Sequence, residues 1–86
     1  MKEYEKILKA LANKRRLEIL KHLKDKKVGT VGELAGKIKL SFKSTSKHLA
    51  VLSGSDIVDK EQRGVAMYYR LNSKQRPLAK SVIGLL

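Results

Sequence analysis

Cysteine is absent from this 86-residue sequence, which excludes disulfides, thiolate metal sites and thiol redox chemistry. Tryptophan is missing too, proline occurs once, and only eight residues are acidic. No apolar run approaches the ~20 residues needed to span a bilayer. The first residues, MKEYEK, lack the apolar centre of a secretory signal. A soluble intracellular protein is expected. Nor is there a glycine-rich phosphate loop, a histidine beside a potential nucleophile, or a carboxylate pair on a recognisable pocket. Catalysis is therefore not expected.

What is present is apolar residues at 42% and basic ones in excess. The apolar share is enough for a core, and the length suits one domain over residues 1–86. Twenty Lys and Arg against eight acids leave a net charge of +12. Charge of this size speaks of partners rather than fold. The first 33 residues mix ten basic and five acidic side chains, but Leu34 to Ser55 holds Lys37, Lys39, Lys43 and Lys47 with no acid. After Glu61 five basic residues follow and no acidic one. A polyanion partner fits this pattern, and nucleic acid is the commonest polyanion.

Tyr4, Ile7, Leu8 and Leu11 follow the i, i+3, i+4, i+7 rule, which predicts a helix over 2–12. Asn13 is placed to cap a second helix, 14–24, with Leu17, Leu20 and Leu23 inward and Ile19 adjoining. Val28-Gly29-Thr30 reads as a short extended piece. Thr30 and Glu33 have capping-box spacing ahead of a short helix, 31–37, whose Leu34 and Ile38 point inward. Ser41 can cap the next helix, 42–53, with Thr45, Leu49 and Leu52 as its inner face. Two short helices across a tight turn make a helix-turn-helix.

Beyond Gly54 the period drops from 3.6 to 2. Val65, Met67, Tyr69 and Leu71 alternate with Ala66, Tyr68 and Arg70, the pattern of a half-buried strand. A partner strand over about 56–60 pairs with it through a turn at Arg63-Gly64, so the wing covers 56–71. Asn72 or Ser73 then caps a last helix, 74–86, with Pro77 in its first turn. The expected fold is mainly α with a small β hairpin, a winged helix-turn-helix. Its first and last helices carry more apolar residues than the central helices can bury. Tyr4, Ile7, Leu8, Leu11, Leu78, Val82, Ile83 and Leu86 are expected to form a two-fold homodimer interface.

Three segments, LKALANKRRLEILKHL, GELAGKIKLSFKSTSKHLAVL and IVDKEQRGVAMYYRLN, resemble in that order the ArsR/SmtB family of winged-helix transcriptional repressors. The likeness covers residues 8 to 72. It implies a homodimer joined through its first and last helices, with the helix after Ser41 in the DNA major groove. Carried over by position, Ser41, Phe42, Lys43, Ser44, Ser46, Lys47 and His48 lie at the DNA-facing helix. Lys60, Gln62, Arg63 and Gly64 form the wing that approaches flanking backbone or minor groove. A sequence-specific double-stranded-DNA regulator, cytoplasmic and associated with the nucleoid, is implied.

The departures from the family pattern narrow the regulation. Thr30 and Gly32 stand where thiophilic-metal sensors have cysteines, and no Asp, Glu or His follows Glu61 to build the other usual metal site. His22 and His48 lie on different helices, so no metal or other cofactor is expected and no effector is implied. Lys39 and Asp56 replace glycines expected in the helix-turn-helix turn and before the wing; Gly36 and Gly54 offer the chain other ways through these turns. Phe42 replaces a polar DNA-reading residue, and either contacts a thymine methyl or tucks toward Thr45. Two other readings remain open at this stage: a nucleic-acid-coating protein without sequence preference, and a winged-helix protein-interaction module.

Overall fold

The computed structural model describes residues 1–86 and contains five helices and a three-stranded antiparallel sheet. Helices α1 (Lys2–Leu11), α2 (Lys14–Lys26), α3 (Val31–Ile38) and α4 (Phe42–Gly54) follow the expected spans closely. Strand β1 (Gly29–Thr30) precedes α3, strands β2 (Val58–Arg63) and β3 (Ala66–Leu71) form the wing, and α5 (Pro77–Leu85) closes the chain. The fold is a winged helix-turn-helix, mainly helical, with β3 between β1 and β2 in the sheet.

The caps form as the local sequence dictates. Asn13 accepts from the Arg16 N–H, Thr30 and Glu33 close a full capping box, and Ser41 accepts from the Ser44 N–H. Their carbon partners make the core. Ile19, Leu20, Leu23, Leu34, Leu49, Leu52, Ile57 and Val58 are fully buried, drawn from α2, α3, α4 and the root of the wing. Ile19, rather than Leu17, fills the centre of the α2 face, and Leu17 is half-buried. Gly29 is buried where a Cβ would lie 3.3 Å from the Leu34 side chain, so a larger residue there would require Leu34 to give way.

Four expectations about the second half are corrected. The hairpin ladder runs further than expected, from Val58↔Leu71 to Arg63↔Ala66, and only Gly64 and Val65 remain in the loop. Gly64, at φ +62°, takes the left-handed position of that loop. Val65 is consequently at the wing tip and fully exposed, not on the inward face with Met67, Tyr69 and Leu71. The last helix begins at Pro77, not at residue 74. Proline forces its predecessor out of the helical region, and Arg76 is extended at φ −68°, ψ 149°. Asn72 instead accepts from the Lys74 N–H within a turn, while Gln75 Nε2 donates to the Ile57 carbonyl.

The turns also avoid the nearby glycines. Gly36 and Gly54 lie within α3 and α4, whereas Lys39 (φ 55°) and Asp56 (φ 57°) themselves adopt left-handed backbone. Lys27, also at positive φ (76°) but with ψ −40°, ends α2 two residues later than expected.

Candidate nucleic-acid interface

Helix α4 is seated by its inner face and by its first turn. Thr45, Leu49 and Leu52 are fully buried, and the Thr45 hydroxyl donates to the Ser41 carbonyl at 2.8 Å. The hydroxyl is thereby satisfied inside the core, on a carbonyl that also accepts the Thr45 N–H. What remains outside is Phe42, Lys43 and Lys47, with Ser44 and Ser46 half-exposed beside them. Lys43 and Lys47 are one turn apart on the same face.

Two adjacent arginines hold α4 and its neighbours in place. Arg15 Nη1 donates to the Ile38 carbonyl, at the last turn of α3. Arg16 Nε and Nη2 donate to the Ala10 and Lys9 carbonyls, at the last turn of α1. Helix C-termini carry unpaired carbonyls and partial negative charge, so guanidinium groups are well suited to both. The third arm of Arg16, Nη1, lies 3.2 Å from His48 Nδ1. Because a guanidinium only donates, Nδ1 accepts and the proton of the neutral ring sits on Nε2. Burial, and then the Arg16 and Arg15 charges, lower the His48 pKa below its usual 6.5. His48 is a neutral, half-buried tie between α4 and α2, and its other ring nitrogen alone is left for an outside partner.

On the wing, residues opposite one another share a face. Lys60 pairs with the buried Tyr69 and Gln62 with Met67, so these two continue the inner face past the edge of the core. Glu61, Arg63, Tyr68 and Arg70 occupy the other face. Arg63 donates to Glu61 at 3.0 Å and stacks over the Tyr68 ring at 5.0 Å, while Arg70 reaches Glu61 at 3.4 Å. Glu61 is held ionised, its pKa lowered first by the hydrogen bond from Arg63. One acid is thus shared by two arginines, and the wing keeps a positive balance.

The ion pairs of the molecule engage Lys9, Arg15, Lys21, Arg63, Arg70 and Arg76; the other fourteen basic side chains have no acidic partner, and five of them, Lys37, Lys39, Lys43, Lys47 and Lys60, belong to the helix-turn-helix and wing. All five of these lysines are exposed.

Of the expected dimer residues, Ile7, Leu11 and Ile83 are 3%, 5% and 7% exposed and belong to the core of the protomer itself. Leu78, Val82 and Leu86 are half-buried against that core. The exposed apolar surface of the terminal helices is made by Tyr4 (54%), Leu8 (51%) and Leu85 (86%). The expected interface leaves out Leu85, although it lies on the same apolar helix, and sequence reasoning does not foresee the double role of Arg15 and Arg16. Their partners lie up to 32 residues away, and no local pattern marks them.

Residues 13–60 match the family model described as bacterial regulatory protein, arsR family. The chain belongs to the ArsR family. It is a transcriptional regulator and not an enzyme. Two relatives match most of the chain. The transcriptional activator HlyU of Vibrio cholerae is 39% identical over 80 residues, covering 93% of this chain and 70% of HlyU. The arsenical resistance operon repressor of Bacillus subtilis is 32% identical over 75 residues, covering 87% and 71%. The structure of reduced HlyU superposes with a TM-score of 0.84 at 36% identity, over 99% of this chain and 85% of that one. A homodimeric winged helix-turn-helix DNA-binding domain from Mycobacterium bovis, a possible ArsR-family regulator, gives 0.80 at 27% identity over 98% and 71%. The shared fold extends beyond the family match, through the wing and α5.

Proposed function

We propose that this ArsR-family regulator is a homodimer that binds double-stranded DNA sequence-specifically and represses by covering a promoter. The observation that carries the reading is the unpaired cationic face of α4, Lys43 and Lys47, beside a wing that presents Lys60, Gln62, Arg63 and Gly64. The N-terminus of α4 offers backbone N–H groups to phosphate, and Ser41, Ser44 and Ser46 supply short hydroxyls for backbone oxygens. In the two-fold dimer, recognition helices lie about 34–36 Å apart, one turn of DNA. The exposed Tyr4, Leu8 and Leu85, continued by Leu78, Val82 and Leu86, supply its apolar contact. The M. bovis domain assembles as a homodimer, which supports the same arrangement here.

The usual metal-sensing positions supply no ligands. Thr30 spends its hydroxyl on the capping box, and Gly32 has no side chain. Regulation on this reading is set in the cytoplasm by protein concentration or by a partner other than a metal at those sites.

Duplexes selected from a random library by the protein are compared with unselected duplex at ~0.2 M salt. Specific binding is expected to be about a thousandfold tighter or more. Equal affinities would leave only charge-driven coating, which the +12 favours as the second reading. Lys43→Glu with Lys47→Glu is expected to abolish binding while light scattering still shows a dimer. Unchanged DNA affinity in that variant would point to a protein partner instead.

A further inference from the structure

Helix α4 is poor in the side chains that read bases. Between Phe42 and Gly54 it has no arginine, asparagine, glutamine, aspartate or glutamate. Bidentate reading of guanine by arginine, of adenine by an amide, and of cytosine by a carboxylate are therefore all missing from this helix. Its hydroxyls are partly committed as well. Ser41 Oγ accepts from the Ser44 N–H at 3.1 Å, and the Thr45 hydroxyl is buried on the Ser41 carbonyl. Lys43 and Lys47 are flexible point charges that serve phosphate and guanine alike. A serine hydroxyl both donates and accepts, so it separates bases weakly.

Phe42 is the exception on this face. It is the only phenylalanine in the chain and 63% exposed, although the core lies one turn away at Thr45. Its backbone is firmly held. Ser41 caps the helix before it, Lys39 fixes the turn in the left-handed region, and Arg15 clamps the Ile38 carbonyl ahead of that turn. A large apolar ring on a fixed backbone at the start of a basic helix loses little freedom on docking. The one apolar group on a base edge in the major groove is the C5-methyl of thymine.

We propose that Phe42 is a specificity-determining residue that selects thymine through its C5-methyl group at the base step beneath the N-terminus of α4. The inference rests on the DNA-binding reading above. It predicts that each half-site selected by the protein carries thymine at a fixed distance from the two-fold axis.

The test uses duplexes selected by the full chain, then resynthesised with deoxyuridine for that thymine, which removes the methyl and keeps the hydrogen-bonding edge. Affinity is expected to fall about fourfold per methyl, the effect of exposing one methyl-sized group. Phe42→Ala is expected to bind the thymine duplex more weakly but to treat the two duplexes alike, and Phe42→Leu to restore part of the preference. Because Phe42 is exposed, both variants are expected to melt with the parent. A parent protein indifferent to deoxyuridine, a Phe42→Ala variant that still discriminates, or selected half-sites without thymine would each overturn the assignment. Failure to select any duplex would overturn the DNA-binding reading itself, a result separable from those three.

Discussion

Lys39 and Asp56 occupy left-handed backbone that glycine adopts without steric cost. For an ordinary side chain the conformation costs about 1–2 kcal/mol, and aspartate tolerates it better than lysine. Glycine in turn loses more freedom on folding, by about 0.5–1 kcal/mol. Lys39→Gly is accordingly expected to stabilise the fold by about 0.5–1 kcal/mol and Asp56→Gly by less, read as a shift in urea midpoint at constant slope. His48 yields a pH prediction. Its folded pKa is lowered below 6.5, by burial first and then by Arg16 and Arg15, so the unfolded chain binds the proton more readily. The neutral-pH stability is present above about 6.5 and is lost as pH falls through the lower folded value. Between pH 7 and 5 the melting temperature of the parent is expected to drop more than that of His48→Gln. Glu33 and Glu61, both lowered from 4.5, act below this window and leave the comparison clean.

Between elements, the Arg15–Arg16 pair outranks the wing ion pairs. Arg16 satisfies two α1 carbonyls and joins His48, whereas Arg63 engages an exposed carboxylate. Arg16→Ala is expected to cost about 1.5–3 kcal/mol, since two part-buried acceptors and one exposed one lose a charged donor. Arg63→Ala is expected to cost about 1 kcal/mol or less; denaturant unfolding of the two variants checks the order. The same contrast explains what could be read in advance. Caps at Asn13, Thr30 and Ser41 and the inward run of Thr45, Leu49 and Leu52 are short-range patterns, and they stand in the structure as the residues suggest. The arginine clamps join residues 23 and 32 apart, and no periodicity encodes them. The start of α5 was obscured by competing signals, because Asn72 and Ser73 look like caps while the proline at 77 overrides both. Val65 fitted the alternation of β3, yet the two-residue loop claimed it.

At the scale of the whole molecule, the unpaired lysines set the response to salt. Each phosphate contact contributes about −0.9 to the slope of log affinity against log salt. Under the proposed dimeric DNA-binding reading, Lys47→Gln removes two contacts per dimer and is expected to reduce the slope by about 2, measured by fluorescence anisotropy over a salt series, without changing the selected sequence. On the candidate surface, the residue types were legible and the exposures were not. Ile7, Leu11 and Ile83 share one apolar pattern with Leu8 and Leu78, and only packing shows which of them the protomer keeps for itself. Finally, Thr30 ends β1, where it pairs with Tyr68 of the wing, and it also caps α3 of the helix-turn-helix. Wing, α3 and, across the short turn at Lys39, the proposed recognition helix α4 therefore share one frame, like the two jaws of a caliper. Under the proposed DNA-binding reading such a tool gauges DNA by length: an extra base pair between the inner and outer grip points of an operator would push one jaw off its mark, however good the letters beneath it.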